Sequence, residues 1–174
     1  GLFIERKNPL FLLDVLKNLR NKNVILIFLG QGPLKSDIQK KAEDLKVINQ
    51  IRILDPIYGR EKNKIHNLTD IFVHPSIDEG FALAPLEAMA CAKPVVITKG
   101  YSASEAVQDG INGYLCDPHN VNDWNQKLGK LIINSNLRKR MGAASLRKTK
   151  TEFRWNIAVG KHLKILNNLV NETN

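Results

Sequence analysis

Apolar positions along this chain switch repeatedly between two spacings. From Asn8 to Leu19, the residues Leu12, Leu13, Leu16 and Leu19 recur at helical intervals, which predicts a helix. Val24 to Leu29 is a continuous apolar run closing at Gly30, the pattern of a strand buried on both faces. After the Gly30-Gln31-Gly32 turn, Pro33 suits the first turn of a helix whose inward stripe is Leu34, Ile38, Ala42 and Leu45. The alternation continues with strands at 51–54, 71–74, 94–98 and 113–116. Between them lie helices at 61–67 and 83–91 and a short helical segment at 103–108. Three helices, at 122–134, 135–151 and 155–170, close the chain, with Phe153 and Trp155 expected to anchor the last.

Strands and helices in strict alternation, joined by glycine turns, argue for an α/β fold: a doubly wound, parallel, Rossmann-like sheet with helices on both faces. No repeat, linker or low-complexity tract divides residues 1–174, so one domain is expected. A doubly wound unit opens on a strand that ends up central. Gly1 stands where that strand would already have ended. The expectation is a sheet whose first strand is missing, with an open slot and marginal stability.

Composition narrows the class. The chain is 43% apolar and 25% charged, ordinary for a globular protein. It has no apolar run near the roughly 20 residues that cross a bilayer and no secretory-signal plan at its start. Cys91 and Cys116 lack metal-ligand spacing and read as two buried intracellular thiols. The expected location is the cytoplasm. The formal charge of +9 favours acidic partners. Arg138, Lys139, Arg140, Arg147, Lys148, Lys150 and Arg154 crowd one late segment. A solvated helix face explains them, and a peripheral contact at the inner face of the membrane is the functional alternative. Nucleic-acid binding is not expected, because no aromatic interleaving or reader motif accompanies the charge.

The chemistry concentrates between Asp78 and Val96, where Glu79 and Glu87 flank a glycine and the start of a helix at the carboxyl end of a strand. Ligands of open α/β sheets bind at that end. An ionised carboxylate only accepts hydrogen bonds, so it suits neighbouring hydroxyls such as a ribose diol. A turn residue and a solvated helix residue would have the same local sequence. A glycosidase acid and base is a further reading, disfavoured because both acids lie in one short segment of a nucleotide-type sheet.

The segments Glu79-Gly80-Phe81-Ala82, Glu87-Ala88 and Pro94-Val95-Val96 resemble the donor-site signature of the retaining glycosyltransferases with the GT-B fold, of the glycosyl transferases group 1 type. The resemblance runs from Gly1 to about Val170. It implies the carboxyl-terminal, donor-binding half of such an enzyme, with the acceptor-binding amino-terminal domain absent. Glu87 would hold the ribose of a nucleotide-diphosphate sugar. Glu79 would face the transferred sugar, and the backbone of Gly80, Phe81, Ala82 and Leu83 would receive diphosphate at a helix start. Gly1 to Pro9 aligns with the family's first loop, where Lys7 matches the lysine that neutralises the leaving diphosphate. Leu2 takes the place of an arginine that would grip it, and leucine cannot hold phosphate. Arg6 is the candidate substitute. Gly30 and Gly32 match a glycine turn that lines the nucleotide pocket or simply turns the chain. Ile57 and Tyr58 fall in the region that flanks the base. His74 is read as lining or structural rather than as a base.

The resemblance therefore implies retaining transfer of a sugar to a glycan or lipid-linked acceptor, with no metal or other cofactor. This chain alone would bind donor without transferring it. A noncatalytic nucleotide-binding partner subunit and a GT-B nucleotide-sugar epimerase stay open.

Overall fold

The computed structural model describes residues 1–172 except Glu79, Phe81 and Tyr101. It leaves out the side chains of Ser102, Ala103, Ala158, Lys161, His162 and residues 169–172. Five short strands are described: β1 (Leu26–Leu29), β2 (Ile51–Leu54), β3 (Phe72–His74), β4 (Val95–Thr98) and β5 (Gly113–Cys116). Seven helices accompany them: α1 (Phe11–Leu19), α2 (Lys35–Asp44), α3 (Gly59–Leu68), α4 (Leu83–Ala90), α5 (Val121–Ile133), α6 (Ser135–Glu152) and α7 (Trp155–Glu172). All pairings are parallel, as a β-α-β alternation requires.

The described strands form two sheets, β1-β2 and β3-β4-β5. Phe28 lies opposite Ile53 in the first, and Val95 lies between Phe72 and Gly113 in the second. The first residues of the chain lie between the two sheets. Leu2 bridges Gln31 in parallel beside the end of β1, and the Ile77 N–H past the end of β3 donates to the Arg6 carbonyl at 2.9 Å. Pairing among the described strands thus breaks between the two sheets, where residues 1–6 lie beside the carboxyl ends of β1 and β3.

β4 is buried along its whole length because helices cover both of its faces. Val96 joins the larger core, with Leu13, Val15, Ile38, Trp124 and Leu131 from α1, α2 and α5. Val95 and Ile97 point the other way, into a smaller core with Ala88 and Met89 of α4. Trp124 is wholly buried, meets Phe11 edge-on at 5.7 Å, and donates its indole N–H to the Asp117 carbonyl at 3.1 Å. Asn120 and Asn134 cap α5 and α6 by accepting the N–H groups of Asp123 and Leu137.

Four expectations need correction. β1 is not buried on both faces: Phe28 faces the core, but Ile25 and Ile27 are exposed, because the helices that cover Phe28 lie on one side only. Trp155 does not anchor α7, since it is 83% exposed; Phe153 alone packs against the smaller core. Cys91 is half-buried rather than buried, and both thiols are free. The first helix begins at Phe11 rather than Asn8, because Glu5–Lys7 form a separate 3-10 turn closed by Asn8 at a φ of 49°.

Candidate functional site

Strands within each sheet run the same way, and the first loop meets the carboxyl ends of both sheets through the Leu2–Gln31 bridge beside β1 and the Ile77–Arg6 bond beyond β3. That loop is tied down by backbone bonds. Phe3 donates to the Gln31 carbonyl at 2.8 Å and accepts from Leu34 at 3.1 Å. Gly30 and Gly32 make this possible. A Cβ on Gly30 would lie 1.7 Å from the Gly1 carbonyl oxygen, and one on Gly32 would lie 2.5 Å from the Phe3 carbonyl oxygen. The glycine turn therefore seats the first loop.

Lys7 closes the 3-10 turn and is half-buried. Burial lowers its ammonium pKa, and the neighbouring Arg6 adds to the effect. The Arg6 side chain is exposed, as is Leu2, which offers no charge where the resemblance expects an arginine. His74, ending β3, is pushed down to about 4, by burial first and then by Lys7 and the chain's amino terminus. The imidazole is thereby held neutral at this edge.

Glu87 lies about one turn inside α4. Across from it, Lys62 of α3 donates to Oε1 at 2.6 Å and sits 2.5 Å from Oε2. His66, one turn beyond Lys62, is buried; burial lowers its pKa, opposed more weakly by Glu87. Three charges converge on the Gly1 amino group: Lys62 and Lys7 lower its pKa and Glu87 raises it, with burial the largest effect. The first loop, α3 and α4 thus meet within electrostatic reach.

Ala82 is buried at the cap of α4 in an extended conformation, whereas Gly80 and Leu83 are exposed beside it. Ile57 is half-buried and Tyr58 is 78% exposed, at the start of α3 on the same edge. Glu79 and Phe81 lie outside the described residues. Lys62 and His66 were not anticipated from the sequence. On a polar helix they carry no local signal, and only the packing of α3 on α4 brings Lys62 to Glu87. Among the described residues, no three His, Cys, Asp or Glu side chains gather where they could hold a metal ion.

The family model described as glycosyl transferases group 1 matches residues 1–148. The chain belongs to this family. Among group 1 relatives, it is 39% identical over 105 residues to a D-inositol 3-phosphate glycosyltransferase of Corynebacterium jeikeium, covering 60% of this chain and 25% of the relative. It is 34% identical over 145 residues to an uncharacterized glycosyltransferase of Methanocaldococcus jannaschii, covering 82% and 39%. The chain thus spans well under half the length of these curated relatives. Solved structures agree. The C-terminal domain of the LpcC glycosyl transferase of Francisella tularensis superposes with a TM-score of 0.81 at 25% identity, covering 89% of this chain and 84% of that one. TarM of S. aureus, solved in complex with UDP among other ligands, superposes with a TM-score of 0.87 at 26% identity, covering 96% and 34%. The neighbours are GT-B glycosyltransferases, which bears out the fold class and the family read from the signature stretch.

Proposed function

We propose that this chain is the donor-binding part of a retaining glycosyltransferase, which takes a sugar from a nucleotide diphosphate for transfer to a glycan or lipid-linked acceptor. The observation that carries the reading is Glu87: a partly exposed carboxylate about one turn inside α4, beside a lysine-bearing first loop, on the carboxyl edge where the sheet order breaks. The UDP bound to TarM supports a nucleotide ligand here as well. In this reading Glu87 accepts hydrogen bonds from the ribose diol. The backbone of Gly80 to Leu83 and the Lys7 ammonium, aided by Arg6, stabilise the departing diphosphate electrostatically. Glu79 faces the cationic sugar. Gly30 and Gly32 hold the first loop against the pocket, and Ile57 and Tyr58 flank the base.

The basic face of α6 supports a peripheral contact with anionic lipid in the same reading. Among the described residues no helix is long and apolar enough to cross a membrane. In this reading the 174 residues bind donor by themselves. They transfer no sugar, and robust transfer by the purified chain would overturn that.

Thermal melts with UDP, GDP and ADP test the donor site. At a hundredfold excess over Kd, a matching nucleotide stabilises by about 2.7 kcal/mol, or roughly 5–10 °C for a chain of this size. Glu87→Ala removes a charge-assisted hydrogen bond worth about 1.5–3 kcal/mol and should erase most of that gain. If the gain survives in Glu87→Ala, the ribose contact is elsewhere.

A further inference from the structure

Lys62 engages both oxygens of the Glu87 carboxylate. Its ammonium spans the carboxylate, 2.6 Å from Oε1 and 2.5 Å from Oε2. Oε2 is closed off from solvent, with the ammonium against it. A ribose that offers two hydroxyls to two oxygens therefore cannot seat while the ammonium stays. The pair joins two helices, α3 and α4, far apart in sequence, and both side chains remain about one-third exposed. Nearby cations are engaged elsewhere: Lys93 donates to the Asn67 carbonyl at 2.9 Å, and the Gly1 amino group donates to the Leu29 carbonyl. Lys93 and Lys62 both lower the pKa of the buried His66, and Lys7 lies toward the first loop, within reach of the Gly1 amino group.

Resting on the reading of Glu87 as the ribose carboxylate, we infer that Lys62 is a latch on the donor site: it holds Glu87 when no donor is present and must be displaced by the ribose 2′,3′-diol. Magnitudes make the exchange feasible. A part-exposed ion pair is worth at most about fivefold in an equilibrium constant. A charge-assisted hydrogen bond to ribose is worth about tenfold to a hundredfold. The ribose wins, and the latch sets how much affinity is lost in winning. Lys62 is thus a specificity-determining residue. It lowers affinity for every ligand that needs the Glu87 fork and leaves ligands without the diol untouched.

The test uses calorimetric titration of the 174-residue chain with UDP, GDP and ADP and with the 2′,3′-dideoxy form of each. Lys62→Met should tighten the matching ribonucleotide about two- to fivefold and leave its dideoxy form unchanged, so the ratio of the two affinities rises. Lys62→Arg should restore the wild-type ratio, which a loss of α3 packing would not do. Glu87→Gln should collapse the ratio toward one, with or without Lys62→Met. If Lys62→Met weakens the ribonucleotide or leaves the ratio unmoved while Glu87→Gln still collapses it, the latch is wrong and the ribose reading stands. If Glu87→Gln leaves the ratio unmoved, the ribose reading fails and the latch goes with it. Failure of both wild type and Lys62→Met to bind any of the six nucleotides overturns both.

Discussion

His74 joins the site's chemistry to the stability of the chain. Its ring stacks on Phe72 with centroids 6.2 Å apart, and burial, then Lys7 and the amino terminus, push its pKa down to about 4. In the unfolded chain it titrates near 6.5. The folded state therefore binds fewer protons between those values. The associated stability is fully present above about pH 6.5 and is lost as pH falls toward 4, by about 2–3 kcal/mol. His66, also lowered by burial, acts in the same direction. Urea midpoints measured from pH 7 to 4.5 should decline, and His74→Gln should decline more gently; equal slopes would assign the loss to other groups. The residues legible in the sequence were those in a contiguous motif or a shared turn, such as Glu87, Lys7 and Gly32. Lys62 was not legible, because its meaning comes from a helix partner distant in sequence. Trp155 misled for the opposite reason, since a large aromatic residue suggests an anchor wherever it falls, and here the face of α7 that bears it is exposed.

At the scale of elements, two glycines in neighbouring helices have opposite meanings. Gly142 lies where α6 crosses the turn after α4, and a Cβ there would come 2.0 Å from the Ala92 carbonyl oxygen. The backbone cannot yield cheaply at that point, because Ala92 is in a tight turn at a φ of 56° and donates its N–H to Met89. Gly142→Ala should destabilise the chain by about 1–3 kcal/mol through overpacking. Gly129 of α5 has nothing within 4 Å of an added Cβ. Gly129→Ala should stabilise by up to about 1 kcal/mol, the helix-propensity gain. Denaturant midpoints of the two variants should move in opposite directions; a shared direction would mean that α6 does not sit this close to the α4 turn. Each described strand and α-helix was legible from the sequence, because the apolar spacing switches between helical and continuous runs, whereas the short 3-10 turns at Glu5–Lys7 and Ile48–Gln50 were not. Helix starts were less so: Pro33 and Asn8 look like first-turn residues, but each belongs to a tight loop that packs the site. The exposed side of β1 was not legible either, because a run of aliphatic residues looks the same whether or not a helix covers its second face.

Over the whole molecule, charge is distributed as unevenly as burial. Lys139, Arg140, Arg147 and Lys150 are all exposed, and at 3.6 residues per turn they fall within about 100° of one another around α6. The opposite side carries the buried Met141 and Ser145. Two neighbouring cations are already engaged, Arg138 with the Leu131 and Ile132 carbonyls and Lys148 with Glu152, so they do not add to this face. Beside the face, Arg140 and Arg147 line a cleft of about 430 Å³ with Gly110, Ile111, Ala143 and Ala144, and Ile111 is 53% exposed. A row of cations next to an exposed aliphatic side chain matches what an anionic lipid surface attracts, and the formal charge of +9 reinforces it. Each such cation contributes about 1 kcal/mol near an anionic leaflet, so Arg140→Gln with Arg147→Gln should weaken partitioning onto phosphatidylglycerol vesicles roughly thirtyfold. Flotation at low salt should carry the wild-type chain up with these vesicles, leave it behind with phosphatidylcholine alone, and lose it in 0.5 M salt as the charges are screened. Equal flotation of wild type and double variant would move the contact off α6. No flotation of either would leave the basic row as a solvated helix face, the plainer of the two readings that the sequence allowed.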